Sequence, residues 1–232
     1  PYPEVLPIMH AAPPGSVFTV VREALGADLL ACQLWLVDYP QLALHSVDDA
    51  TRPEAQPLNE GLAGRVFTSE RPAITFADAT TDAYLPVNDH GTRIGVLHVQ
   101  MADTLADSAI RQLQTIAEAL GQQIAAANRF TDHFERARRS RPLTVAAELQ
   151  WALLPATAHR DPRFSLAGFL EPAYSVAGDA FDWSIDADTL TLVVCDGTAR
   201  GVPAALATTL CISALRNARR VPVGLADQAA LA

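Results

Sequence analysis

Between Asp107 and Phe134, the apolar residues Ile110, Leu113, Ala117, Leu120, Ile124, Ala127 and Phe134 recur three and four positions apart, with Thr131 as the one polar interruption. That is the period of a long α-helix with one buried face. Asp107–Ser108 supply its expected N-cap. Such a helix must cover its stripe, either on the sheet of its own domain or on a second copy of itself. The stripe runs on into the charged segment 129–141, as in a helix leaving its domain, so a parallel homodimer through helix 108–134 is expected. Packing on the chain's own sheet is the competing reading. The arginines Arg136, Arg138, Arg139 and Arg141 read as a solvated linker face. The helix therefore splits the chain, with a boundary between about residues 130 and 145 and a division into an extension (1–14), a first domain (15–128), a helical linker (129–142) and a second domain (143–232).

Before the long helix, helix and strand signals alternate. Val17–Leu25 is a short amphipathic run ended by Gly26, and residues 29–38 and 42–46 read as strands. Gly61 opens a short helix through Val66 and Phe67. PAITFA, AYLPV and RIGVLHVQM follow as strands, the last two joined by the turn residues Asn88–Gly91. A mixed, mainly antiparallel sheet with helices beside it is expected, an α+β fold. After Pro142 come a helix to Pro155, the strand runs FSLAGFLEPA, FDWSI and TLTLVVCD, and a final helix from Gly201 to Arg219–Arg220. Pro203 is tolerated in that helix's first turn.

Composition narrows the function. The 232 residues are 50% hydrophobic and 19% charged, enough to build a core, and their net charge of -9 argues against nucleic acid as a partner. All 17 basic residues are Arg. Without Lys, these residues contain no P-loop, protein-kinase or Schiff-base lysine. The three cysteines, Cys32, Cys195 and Cys211, lie far apart in apolar runs and read as buried free thiols. Histidines at zinc-site spacing are missing, and His90 and His98 read as surface or satisfied side chains. With neither a membrane-spanning run nor a signal peptide in view, a soluble cytoplasmic protein without membrane partners is expected.

Chemistry concentrates in the second domain. Asp179 heads a strand, Asp182 follows three residues later, and Asp196 ends the strand LTLVVC just before Gly197. Acidic residues at the ends of neighbouring strands converge. Two unpaired carboxylates about 4 Å apart repel by about 4 kcal/mol at an effective dielectric of 20, so a pair needs a proton, an arginine or a metal. Hard oxygen ligands beside a tight Asp-Gly turn suit Mg2+ or Mn2+. The competing reading is a plain strand-to-helix turn with Asp196 near the N-cap.

The stretch NEGLAGRVFTSERPAITFADA, with YLPVNDHGTRIGVLHV after it, resembles the GAF domain family over about residues 15–128. The resemblance implies a GAF-type antiparallel sheet with flanking helices. It leaves the GAF ligand unknown: the segment between Asp78 and Tyr84 is short for the family, and Gly61–Leu97 contains no cysteine.

LQWALLP, EPAYSVAGDAFDW and VVCDGTARGVPAAL, in that order, resemble the PPM (type 2C) serine/threonine phosphatases, and within them the bacterial SpoIIE-type branch. The resemblance covers about residues 143–232 and implies the N-terminal part of a PPM α/β sandwich. By motif, Asp179 stands at the first metal aspartate and Asp196 at the aspartate bridging two metals. The Gly197 carbonyl is the accompanying ligand and Asp182 an outer-shell acid. Asp179 and Asp196 are thus the catalytic pair implied, with Mn2+ or Mg2+ as cofactor. Two residues depart from the pattern: Ala177 replaces the first of two glycines, and Ala199-Arg200-Gly201 replaces Gly-His-Gly. Arg200 becomes either a candidate phosphate contact or a fixed charge that opposes cation binding. The family carries further metal aspartates on later strands, whereas Asp227 is the only acidic residue after Asp196. At most one ion and weak activity are therefore expected from these residues alone.

The implied function is dephosphorylation of a phosphorylated regulatory protein of the anti-sigma-factor-antagonist class, gated by the GAF domain. The alternatives are a catalytically inactive dimeric GAF sensor or interaction module, and a ligand-binding protein whose second domain is only a lid.

Overall fold

The computed structural model describes residues 2–48, 55–171, 174, 178–221 and 223–231. It divides into two compact units, Pro1–Ser140 and Arg141–Ala232.

The first unit opens with α1 (Val5–Ala11), a 3-10 turn at Pro14–Ser16 and α2 (Val17–Ala24). The strands β1 (Leu29–Val37), β2 (Ala43–Ser46) and β3 (Gln56–Pro57) follow, then α3 (Gly61–Ser69). Next come β4 (Ala73–Ala77), β5 (Thr80–Asp89), β6 (Thr92–Met101), α4 (Asp107–Ala127) and α5 (His133–Arg138). The six strands form one sheet in the order β3-β2-β1-β6-β5-β4, with every pairing antiparallel. This is the expected α+β arrangement. The β5–β6 hairpin closes at His90 (φ 47) and Gly91 (φ 97). Positive φ at both central residues gives the primed turn whose twist matches the strands.

Period-two alternation sorts the sheet's side chains. Leu34 and Leu36 of β1, Leu85 and Val87 of β5, and Leu97 and Val99 of β6 join the main core. Trp35, Val37 and Val96 point to the opposite face, where they meet Ala63, Val66 and Phe67 of α3.

The long helix departs from expectation. It starts at Asp107, with Ala106 in the N-cap position that Asp107–Ser108 were expected to fill, and it ends at Ala127. Leu113, Ala117, Leu120, Ile124 and Ala127 are buried in the unit's own core together with Ile116, and Phe134 lies in the same core from the separate helix α5. Gly121 brings α4 so close to the Asn88 backbone that a β-carbon would collide with it. The face expected to carry a homodimer through helix 108–134 is thus occupied within one chain. Residues expected as a linker are fastened to β1. Glu135 accepts hydrogen bonds from the Tyr39 hydroxyl, from Asn128 Nδ2 (3.1 Å) and from Arg138 (3.1 Å). Arg138 Nε donates to the Val37 carbonyl at 3.0 Å, and its guanidinium lies over the Tyr39 ring. The N-terminal residues expected as an extension include α1, whose Val5 and Met9 are buried in this core.

The second unit contains α6 (Val145–Leu153), β7 (Ala158–Asp161), β8 (Phe164–Ala167), β9 (Ala180–Ile185), β10 (Leu190–Cys195), α7 (Gly201–Ala218) and α8 (Leu225–Leu231). The side chain of Thr144 caps α6 by accepting from the Ala147 N–H at 3.2 Å. The unit's described strands form two separate two-stranded sheets, β9–β10 and β7–β8. Of the strand expected over FSLAGFLEPA, the described residues form one over Phe164–Ala167, and positions 172 and 173 lie outside the described residues. One face of β9–β10 meets the helices through Ala180, Leu153 and Ile212. The other leaves Leu192 57% and Val194 86% exposed. Among the described residues, no helix is long and apolar enough to cross a membrane.

Candidate functional site

Cys195 of β10 pairs with Ala180 of β9 at the end of the ladder. Carried one step further, the register sets Asp196 beside Asp179, and both are exposed. The two motifs meet through their glycines. A β-carbon on Gly197 would lie 2.6 Å from the Gly178 carbonyl oxygen, and one on Gly178 would lie 3.0 Å from the Gly197 Cα. The Gly197 N–H donates to Asp179 Oδ1 at 3.3 Å. Only residues without side chains allow this approach. Ala177, the departure before Gly178, lies outside the described residues.

The helices hold the Gly178–Asp179 backbone from below. The Thr208 hydroxyl donates to the Gly178 carbonyl at 2.5 Å, and the buried Gln150 amide donates to the Asp179 carbonyl. Neither residue was singled out in the sequence; the available signal was a polar side chain on an otherwise apolar helix face.

Asp182 has a different place from the one the resemblance implies. Its parity on β9 matches Ala180, not Asp179, so it points toward α7 and is 2% exposed. Arg216 grips it through Nε (3.1 Å) and Nη2 (2.7 Å), and Arg219 Nη1 adds a third bond at 2.7 Å. Arg216 also donates to the Leu153 carbonyl at 2.7 Å, tying α6, β9 and α7 together. Burial alone would raise the Asp182 carboxyl, but the two guanidinium groups outweigh it and hold the group below the usual carboxylate range. Asp182 is a buried anion held by two arginines. Arg200 is exposed at the N-cap of α7.

Among the described residues, no group of three or more His, Cys, Asp and Glu side chains is placed to hold a metal. The Asp179–Asp196 pair nonetheless offers hard oxygen donors at a solvent-facing strand end, a donor chemistry that fits one Mg2+ or Mn2+ with much of its shell left to water. Beside the pair runs an open groove of about 530 Å3, lined in part by Phe169, Phe181, Trp183, Leu192 and Val194.

The first unit carries a second polar cluster. On the face opposite the main core, the rings of Trp35, Tyr84 and His98 stack, with Tyr84 and His98 centroids 4.4 Å apart. His98 Nε2 lies 2.6 Å from Asp82 Oδ1, and Gln100 donates to Asp82 Oδ2 at 3.2 Å. His98 is thus largely buried and paired through this nitrogen, while His90 is exposed beside Asp89.

No family model matches this sequence, and no curated protein matches it. Solved structures do. The GAF domain of an Acinetobacter phosphoenolpyruvate-protein phosphotransferase is 17% identical, covering 55% of this chain and 92% of that one at a TM-score of 0.44. The corresponding domain from Coxiella burnetii is 20% identical, covering 54% and 91% at a TM-score of 0.45. Free methionine-R-sulfoxide reductase from Neisseria meningitidis, in complex with its substrate, is 15% identical, covering 56% and 89% at 0.43. At such identities and superpositions, these likenesses lend no ligand, substrate or reaction to this chain.

Proposed function

We propose that the second unit is a metal-dependent phosphoester-hydrolysing domain of the protein serine/threonine phosphatase type, and that the first unit is its regulatory module. The observation that carries the reading is the Gly178–Gly197 approach, with the Gly197 N–H on Asp179 Oδ1, at the end of the β9–β10 ladder where Asp179 and Asp196 flank the two glycines. A bound Mn2+ or Mg2+ would supply the positive charge that polarises a phosphoryl oxygen. Asp179 and Asp196 would hold it, and Arg200 would meet the phosphate. The apolar groove suits the residues flanking a phosphoserine or phosphothreonine in a protein substrate, in keeping with the resemblance to phosphatases that act on small regulatory proteins.

Calorimetry with Mn2+ on the wild type, Asp179→Asn and Asp196→Asn tests the site, with hydrolysis of a phosphoserine peptide as second readout. Binding should weaken at least tenfold in each variant, a loss of about 1.4 kcal/mol or more. Equal heats from all three proteins would remove the metal site and the phosphatase reading with it.

A second reading, an inactive sensor or interaction module, is favoured by one observation: Asp182 is committed to Arg216 and Arg219. Mn2+ binding without any phosphopeptide hydrolysis would support it.

A further inference from the structure

Cys195 and Cys211 are separated in sequence but meet in the second unit, their sulfur atoms 3.8 Å apart. Cys195 lies on the side of β10 that faces the helices, since its register partner is the buried Ala180. Cys211 follows Ala204 and Thr208 at helical spacing on α7, next to the buried Ile212. Both thiols are half-buried, so each keeps some access to solvent, and neither is bonded to another sulfur. A disulfide requires a separation of about 2.05 Å, so the sulfurs must close by about 1.8 Å. Side-chain rotation supplies a movement of that size without unpairing β10. Cys32 is the contrast: it is buried in the first unit's core, and burial pushes its thiol up to about 12.

We propose that Cys195 and Cys211 form a reversible disulfide when the protein meets a peroxide, stapling the end of β10 to α7. The chemistry balances with hydrogen peroxide as oxidant. The sulfur of one cysteine of the pair attacks one peroxide oxygen; an S–O bond forms, the O–O bond breaks, and hydroxide leaves as water with the thiol proton. The sulfur of the other then attacks the sulfenic acid; the S–S bond forms, the S–O bond breaks, and a second water leaves with its thiol proton. Two thiols lose two electrons, and one peroxide becomes two waters. A small dithiol reverses the bond by exchange. The pair stands on its own geometry, whether or not the adjacent carboxylates hold a cation.

The test uses the full chain, treated with hydrogen peroxide and digested with trypsin without reduction. Cleavage after Arg163, Arg200 and Arg216 places Cys195 in residues 164–200 and Cys211 in residues 201–216. A linked pair of these peptides, lighter by two hydrogens than their sum and separated by dithiothreitol, is expected, with Cys32 still open to alkylation after unfolding. Cys195→Ser and Cys211→Ser should each abolish the linked pair, and the cysteine that remains should report its sulfenic acid to dimedone. Unlinked peptides carrying sulfinic acid, a link through Cys32, or a link found only between two chains would each overturn the proposal.

Discussion

Gly197 and Asp182 show how one residue decides what its neighbours can do. A methyl group at 197 would press on the Gly178 carbonyl, a backbone atom that cannot move aside cheaply. Gly197→Ala should therefore separate the two strand ends, destabilise the second unit by about 1–3 kcal/mol and abolish Mn2+ heats; calorimetry and thermal melting read both. Asp182 is buried between two partly exposed arginines. Asp182→Ala should cost about 3 kcal/mol, the lower end for breaking a buried ion pair, because Arg216 and Arg219 regain some water. The acid dependence follows from the depressed carboxyl. Its stabilisation is complete above the unfolded value of about 3.9 and is lost as pH falls through the lower folded value. Urea midpoints measured from pH 6 down to pH 2 should drop for the wild type in that window and change less for Asp182→Asn.

At the scale of elements, α4 is the clearest case. Leu120 and Ile124 touch the unit's own strands and are shielded from water. Leu120→Glu with Ile124→Glu should unfold the first unit, since each buried carboxylate costs several kcal/mol against a total stability of about 5–15 kcal/mol. Loss of the near-ultraviolet circular dichroism of Trp35 would record it. A folded monomeric double variant of a dimeric wild type would instead restore the seam as an interface. Thr144 makes a smaller contribution: Thr144→Ala removes the cap of α6 and should lower stability by about 1 kcal/mol.

For the whole molecule, the two units differ in the size of their cores. The first buries apolar residues from most of its helices and strands in one cluster. Among the described residues, the second has a small cluster around Leu153, Ala180 and Ile212, and leaves Leu192 and Val194 exposed. Since burying such a side chain contributes about 1.5–3 kcal/mol, differential scanning calorimetry should resolve two transitions. The lower one should belong to the second unit and be the one that Asp182→Ala moves.

Local pattern determined much of this protein. Alternation in β1, β5 and β6, the turn residues before Gly91 and the periodic stripe of α4 each report on one element and its neighbours in sequence, so they were readable without coordinates. The pairing of β9 with β10, which brings the Asp179 and Asp196 ends of the two strands to the same side, was readable for the same reason, because the strands of a hairpin must meet. What covers the α4 stripe was not. A period of three and four says that a face is buried, and the same face serves a sheet or a second helix equally well. The fate of Asp182 depended on Arg216 and Arg219, brought onto it by the packing of α7 across β9. The meeting of Cys195 with Cys211 has the same origin. Contacts between elements far apart in sequence depend on how helices pack on sheets, and only the tertiary structure decided those.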